Sequence, residues 1–253
     1  MKNKLLWFKF PNFGDMLSPL IFEHFSKSKA VHADVKEKCK KYVAIGSILN
    51  HAKANDIAWG PGIANKNDKI ASGVDIHSVR GPLTRKRCLE LNVKCPEIYG
   101  DPAMLLPKIY NPKIEKQYTI GFTPHVVDYD QCIKQYSSFK NSIIIDFRKE
   151  PYEVLDQILS CDYIISSSLH GLIVADAYKI PNIWVKLSNR VLGDDTKFYD
   201  HFEAVKKSKT TFVDCRNSTR NQKDMMSHLN KVEIAKFSEE DIDKLIDACP
   251  FKK

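Results

Sequence analysis

Short apolar runs alternate along the chain with stretches whose apolar residues recur at helical spacing. Leu5–Phe10, Tyr42–Ile45, Asp56–Trp59 and Asp75–Val79 have the length and bounding turns of strands, while Met16–Phe25, Ser47–Lys53 and Pro82–Leu91 read as helices. Pro82 falls in the first turn of its helix, where a missing N–H costs nothing. The pattern lapses at Pro107–Lys116, where two prolines stand among polar residues and mark a linker. A second alternation follows, with strands at Tyr118–Phe122, Ser142–Phe147, Tyr163–Ser167 and Asn182–Lys186 and helices at Asp128–Ser137, Pro151–Ser160 and Leu169–Tyr178. Alternation of this kind predicts parallel sheets built from crossover units. Two such runs predict an α/β protein of two Rossmann-like domains, 1–112 and 113–253, facing a cleft. Ligands of such sheets bind outside the carboxyl ends of the strands. The tail Ser238–Ala248 predicts an amphipathic helix, N-capped by Ser238 and free to pack back on the first domain.

Composition narrows the class. With 253 residues, 43% of them hydrophobic and 28% charged, the chain has enough apolar material for a real core, and no repeat suggests a solenoid. Lys and Arg exceed Asp and Glu by 39 to 31, a net charge of +8, so anionic partners are expected. The seven cysteines are dispersed and form no C-x-x-C pair, which argues against a disulfide framework and a structural zinc site and for a reduced, cytoplasmic protein. The apolar run at Leu5–Phe8 is broken by Lys9, too short for a signal-peptide core, and no stretch approaches the ~18 apolar residues of a membrane span.

Five segments carry candidate chemistry. Asn12-Phe13-Gly14-Asp15 joins a strand to a helix, where Gly14 permits close backbone approach and Asp15 is either an N-cap or an acid/base group in the cleft. Arg80-Gly81-Pro82 ends a strand, and Arg80 there suits a carboxylate or phosphate. Arg85, one turn on, suits either an anion or solvent. Gly100-Asp101-Pro102 reads as a turn that Asp101 caps, with a role in the cleft as the alternative. In Ser166-Ser167-Ser168-Leu169-His170-Gly171 a buried strand runs into serines and a helix start, a setting for anion chemistry around His170. Gly193–Phe202 reads as a charged loop containing Lys197. No Walker loop, G-x-G-x-x-G, H-E-x-x-H or G-x-S-x-G is present, and no metal-ligand cluster is visible.

Taken in order, Asn12-Phe13-Gly14-Asp15, Trp59-Gly60-Pro61-Gly62, Val79-Arg80-Gly81-Pro82, Gly100-Asp101-Pro102-Ala103, Ser167-Ser168-Leu169-His170-Gly171 and Lys197-Phe198-Tyr199-Asp200 resemble the polysaccharide pyruvyl transferase family. The resemblance implies a GT-B-like pair of domains. It also implies transfer of pyruvate from phosphoenolpyruvate onto two sugar hydroxyls as a ketal, on an exopolysaccharide or another surface glycan, with no cofactor or metal. Asp15 and His170 would be the catalytic pair. Arg80, Lys197, Ser167, Ser168 and Gly171 would hold the donor, with Asn12, Gly14, Arg85, Asp101 and Arg190 as further candidates. Many family members carry an arginine near the Leu-His pair where this chain has Ser168, which leaves Arg190 and Lys186 as candidates to replace it. A lipid-linked acceptor would bring the protein to the inner membrane face. The rival readings are a GT-B glycosyltransferase using a nucleotide-sugar and a nucleic-acid-binding protein. The second rests on charge alone, and the aromatic residues are not interleaved with basic ones as a stacking surface needs.

Overall fold

A computed structural model describes residues 4–207 and 210–253. It contains two five-stranded sheets, each parallel throughout. The first is built from β1 (Lys4–Leu6), β2 (Val31–Ala33), β3 (Tyr42–Val43), β4 (Ile57–Trp59) and β5 (Asp75–Ser78), in the order β2-β1-β3-β4-β5. The second is built from β6 (Tyr118–Thr123), β7 (Ser142–Ile144), β8 (Cys161–Ser166), β9 (Asn182–Lys186) and β10 (Val213–Asp214), in the order β10-β9-β8-β6-β7. Read from β7, the second order repeats the first: the opening strand lies second, and the chain then steps away across its other edge. Both halves therefore have the flavodoxin-like order, with a switch point between the first strand and the third.

The helices are α1 (Phe13–Ser26), α2 (Pro82–Glu90), α3 (Leu106–Ile109), α4 (Tyr129–Tyr136), α5 (Pro151–Leu159), α6 (Leu169–Ala177), α7 (Thr196–Ala204), α8 (Gln222–Leu229) and α9 (Glu239–Asp247). Inner strands are apolar on both faces because helices cover both; β4 is buried at every residue. The predicted helix at Ser47–Lys53 is only a 3₁₀ turn, Leu49–His51. The predicted strand at Leu5–Phe10 ends at Leu6, leaving residues 7–12 as a loop. The segment expected to be a charged loop, Gly193–Phe202, contains α7, and the Pro107–Lys116 linker begins inside the short α3.

One buried apolar cluster runs through both halves, from Leu5, Phe13 and Trp59 to Leu172, Trp184 and Phe202. α1 packs toward the second half, where the Phe13 and Phe147 rings lie 4.9 Å apart and Phe13 N–H donates to the Phe147 carbonyl at 2.7 Å. α9 has the Ser238–Asp241 capping box, which satisfies the backbone N–H groups of those two residues. α9 and the residues after it return to the first sheet: Trp59 Nε1 donates to the Leu245 carbonyl at 2.8 Å, and Phe251 packs between Phe22 and Trp59 at 4.5 and 5.3 Å. Among the described residues no helix is long and apolar enough to cross a membrane.

Candidate active site

The two switch points face each other across one cavity of about 550 Å³. From the first half it is lined by Phe8, Asn12 and Asp15, which follow β1, and by Gly46, Ser47 and Ile48, which follow β3. From the second half come His125, which follows β6, and Ser168, Leu169 and His170, which follow β8. Asn50, His51, Ala64 and Asn65 of the first half and Leu192, Gly193 and Lys197 of the second complete the wall. The size lies within the ~300–1,000 Å³ of small-molecule sites.

Asp15 is not the cap of α1. Asn12 holds the N-cap position and makes no side-chain cap bond; its Nδ2 donates instead to Asp15 Oδ2 at 3.0 Å. Burial drives the Asp15 carboxyl up to about 6 despite that hydrogen bond. His170 enters from the first turn of α6 and lies against the first turn of α1. A β-carbon on Gly14 would fall 2.1 Å from His170 Nδ1, so only glycine lets the ring rest there. Beneath the ring is Asp101, fully buried, whose Oδ1 caps the 3₁₀ turn Pro102–Leu105 by accepting from Ala103 N–H at 3.0 Å. Burial holds the His170 imidazole below its usual range, the nearby Arg80 and Lys197 charges lower it further, and only Asp101 opposes them.

Lys197, on α7, is almost buried and donates to the Leu192 carbonyl at 2.6 Å. Desolvation first and the Arg80 charge second bring its ammonium down to about 8. It is still largely cationic at neutral pH. His125 was not singled out from the sequence. Its backbone N–H donates to Ser167 Oγ at 3.1 Å, and its Nδ1 accepts Val127 N–H at 3.3 Å. That acceptor role places the ring proton on Nε2. Burial and the Lys197 charge hold this imidazole down near 4, so at neutral pH His125 is an uncharged donor on the cavity wall. No motif marks it in the sequence; the only signal is its place just after a central strand.

Several expected residues stand elsewhere. Arg80 is fully buried and its guanidinium is already engaged: Nε donates to Asp200 Oδ2 at 3.0 Å, Nη1 to Ser47 Oγ at 2.7 Å and Nη2 to the Ile63 carbonyl at 2.6 Å. It stands behind Ser47, lending charge to the site without lining the cavity. Ser167 donates to Asp128 Oδ2 at 2.8 Å and faces a separate hollow of about 90 Å³. Gly171 serves packing, since a β-carbon there would fall 2.3 Å from Ser166 Oγ. Arg85 donates to the Cys95 carbonyl at 3.3 Å on the outer side of α2. Arg190 is exposed and lies 3.8 Å from Asp128 Oδ1, while Lys186 pairs with Asp195. Neither lines the cavity. Among the described residues no three His, Cys, Asp or Glu side chains are grouped as metal ligands.

The arrangement offers a proton donor and a proton acceptor from opposite halves, with a cation and neutral donors beside them. The chain is 31% identical over 164 residues to the uncharacterized protein L143 of Acanthamoeba polyphaga mimivirus, covering 62% of this chain and 57% of that protein. It is 33% identical over 161 residues to the succinoglycan biosynthesis protein ExoV of Rhizobium meliloti, covering 58% of this chain and 48% of that one. The chain thus spans about half the length of the curated relatives it matches. Residues 12–189, from the loop before α1 to just beyond β9, match the family model described as polysaccharide pyruvyl transferase, and the chain belongs to that family.

Proposed function

We propose that the protein transfers the pyruvyl group of phosphoenolpyruvate to two hydroxyls of a glycan, forming a cyclic ketal and releasing phosphate, on a GT-B-like pair of domains. The observation that carries this reading is the single cavity between two switch points, with Asp15 on one wall and His170 on the other. The donor's phosphate and carboxylate require positive charge and N–H donors. Lys197, His125 Nε2–H and the backbone N–H groups at the start of α6 supply them. Phe8 and His51, whose rings meet edge to face with centroids 5.4 Å apart, give the wall an aromatic stretch suited to one face of a sugar ring.

The environments of the two titrating groups divide the proton work. Burial raises the Asp15 carboxyl to about 6, which brings its protonated form within reach near neutral pH, and lowers His170, which favours an uncharged imidazole. This favours Asp15 as the acid that protonates the donor's methylene carbon, and His170 as the base that accepts the proton of the attacking hydroxyl. The donor's dianionic phosphate raises Asp15 further on binding. Protonation at the methylene carbon makes the adjoining carbon electrophilic, and the first hydroxyl oxygen bonds to it. The C–O bond to phosphate then breaks, and the second hydroxyl closes the ring. Of the two hydroxyl protons released, one replaces the proton that Asp15 gave and the other leaves with phosphate, so the balance closes.

The test is incubation with phosphoenolpyruvate and a panel of glycans. Phosphate release matched by a pyruvyl mass increment on one glycan is expected. A nucleotide-sugar consumed in place of phosphoenolpyruvate would replace this reading with glycosyl transfer.

A further inference from the structure

Two buried polar atoms in the site have no hydrogen-bond partner and face each other. His170 Nε2 and Asp101 Oδ2 are both sealed from solvent, both unpaired among the described residues, and 3.8 Å apart. A native fold retains such groups where they have work to do. The other carboxylate oxygen is accounted for. Asp101 Oδ1 is held by Ala103 N–H, which fixes the plane of the carboxylate. The His170 ring is wedged between Gly14 and Asp101, both from the first half, though the histidine itself belongs to the second. With Nε2 sealed, a proton exchanged with the cavity passes through Nδ1, which lies over Gly14.

We infer that Asp101 is the positioning residue of His170: its carboxylate holds the ring proton on Nε2 and so keeps Nδ1 bare toward the cleft as the proton acceptor. The separation is long for a hydrogen bond and closes when Nδ1 gains a proton and the ring becomes a cation, as catalytic contacts often tighten during reaction. The imidazolium then faces a carboxylate instead of a dry wall. Asp101 acts against burial and the positive charges of Arg80, Lys197 and His201, with the His125 ring also close by. The two partners come from different halves, so the base is set up only when the halves are docked.

The kinetic part of the test rests on the pyruvyl-transfer reading; the spectroscopic part does not. Asp101→Asn keeps an oxygen for the Ala103 N–H and turns an amide donor toward Nε2, which moves the ring proton to Nδ1. Nitrogen-15 NMR of the histidine-labelled full chain is expected to show the Nε2–H form for His170 at neutral pH, and the Nδ1–H form in Asp101→Asn with the melting temperature little changed. The same variant should lose ~10²-fold in kcat or more, with KM for phosphoenolpyruvate within about threefold of wild type. Its His170 limb should move to lower pH, since the charge that raised the ring's proton affinity is gone. A wild-type Nδ1–H form, or an Asp101→Asn protein with unchanged tautomer and kcat, would overturn the inference. A wild-type Nε2–H form that converts as expected in a protein with no pyruvyl transfer would sink the proposed function and leave the inference standing.

Discussion

Asp15 carries a charge that its burial destabilises. Its carboxyl is raised from an ordinary 3.8 to about 6, so the fold loses stability as pH climbs through that interval and stays lower above it. Asp15→Asn removes the buried charge while retaining an acceptor for Asn12. Above pH 6 it should stabilise the fold by on the order of 1 kcal/mol, read as a higher melting temperature, with no gain below pH 4. A plain helix cap would show no such pH dependence. His125→Ala removes an uncharged donor and should weaken binding of inorganic phosphate and of phosphoenolpyruvate by about fivefold to tenfold, as titration calorimetry would show; unchanged affinity would take His125 out of the anion site. Asn12, Asp15, Ser168 and His170 could be picked out in the sequence because each sits in a loop or first turn after an apolar run, whereas Lys197 stands in a charged segment and entered only through the family resemblance. His125 could not, since its importance comes from β6 lying beside β8, a pairing between strands separated by some forty residues.

Elements were legible where hydrophobic periodicity was long and hidden where it was short. The inner strands and α1, α2, α5 and α6 follow from their apolar spacing. The edge strands β2 and β10 are two or three half-exposed residues with no alternation to read. The segment holding α7 opens with Gly-Asp-Asp and looks like a turn, yet its helix is held by tertiary contacts: Phe198 stacks on Trp184 at 4.2 Å, and Asp200 clamps Thr84 and Arg80. Lys197 and Asp200, three residues apart, share one face, so the helix that presents the cation to the cavity also ties the halves together. The grip on the donor expected of Arg80 is not free, since its guanidinium hydrogen bonds go to Asp200, Ser47 and the Ile63 carbonyl. Arg80→Ala strands the buried Asp200 and should cost about 3–5 kcal/mol, read as a large fall in the denaturation midpoint. A stable Arg80→Ala protein that had lost only donor affinity would restore the original reading.

For the whole molecule, strand–helix alternation was enough to predict two parallel sheets and a cleft. The repeated strand order and the core running through both halves were not visible, because they depend on which strands pair and which helix faces meet. Net charge is likewise a whole-molecule property. Were its acceptor lipid-linked, a chain at +8 should bind vesicles containing anionic lipid at low ionic strength and release them as salt rises. Sedimentation with phosphatidylserine vesicles tests this, and a protein that stays in the supernatant at low salt would argue for a soluble acceptor.

The central claim is that Asp15 and His170 move protons at one reacting centre from opposite walls of the cleft. The most direct measurement is pyruvyl transfer by Asp15→Asn and His170→Gln, each compared with wild type for fold, donor affinity and turnover. Both replacements preserve hydrogen bonding, so both proteins should fold and bind phosphoenolpyruvate within a few-fold of wild type, while each loses about 10²–10⁴-fold in kcat. A folded Asp15→Asn or His170→Gln enzyme that turns over at the wild-type rate would contradict the account.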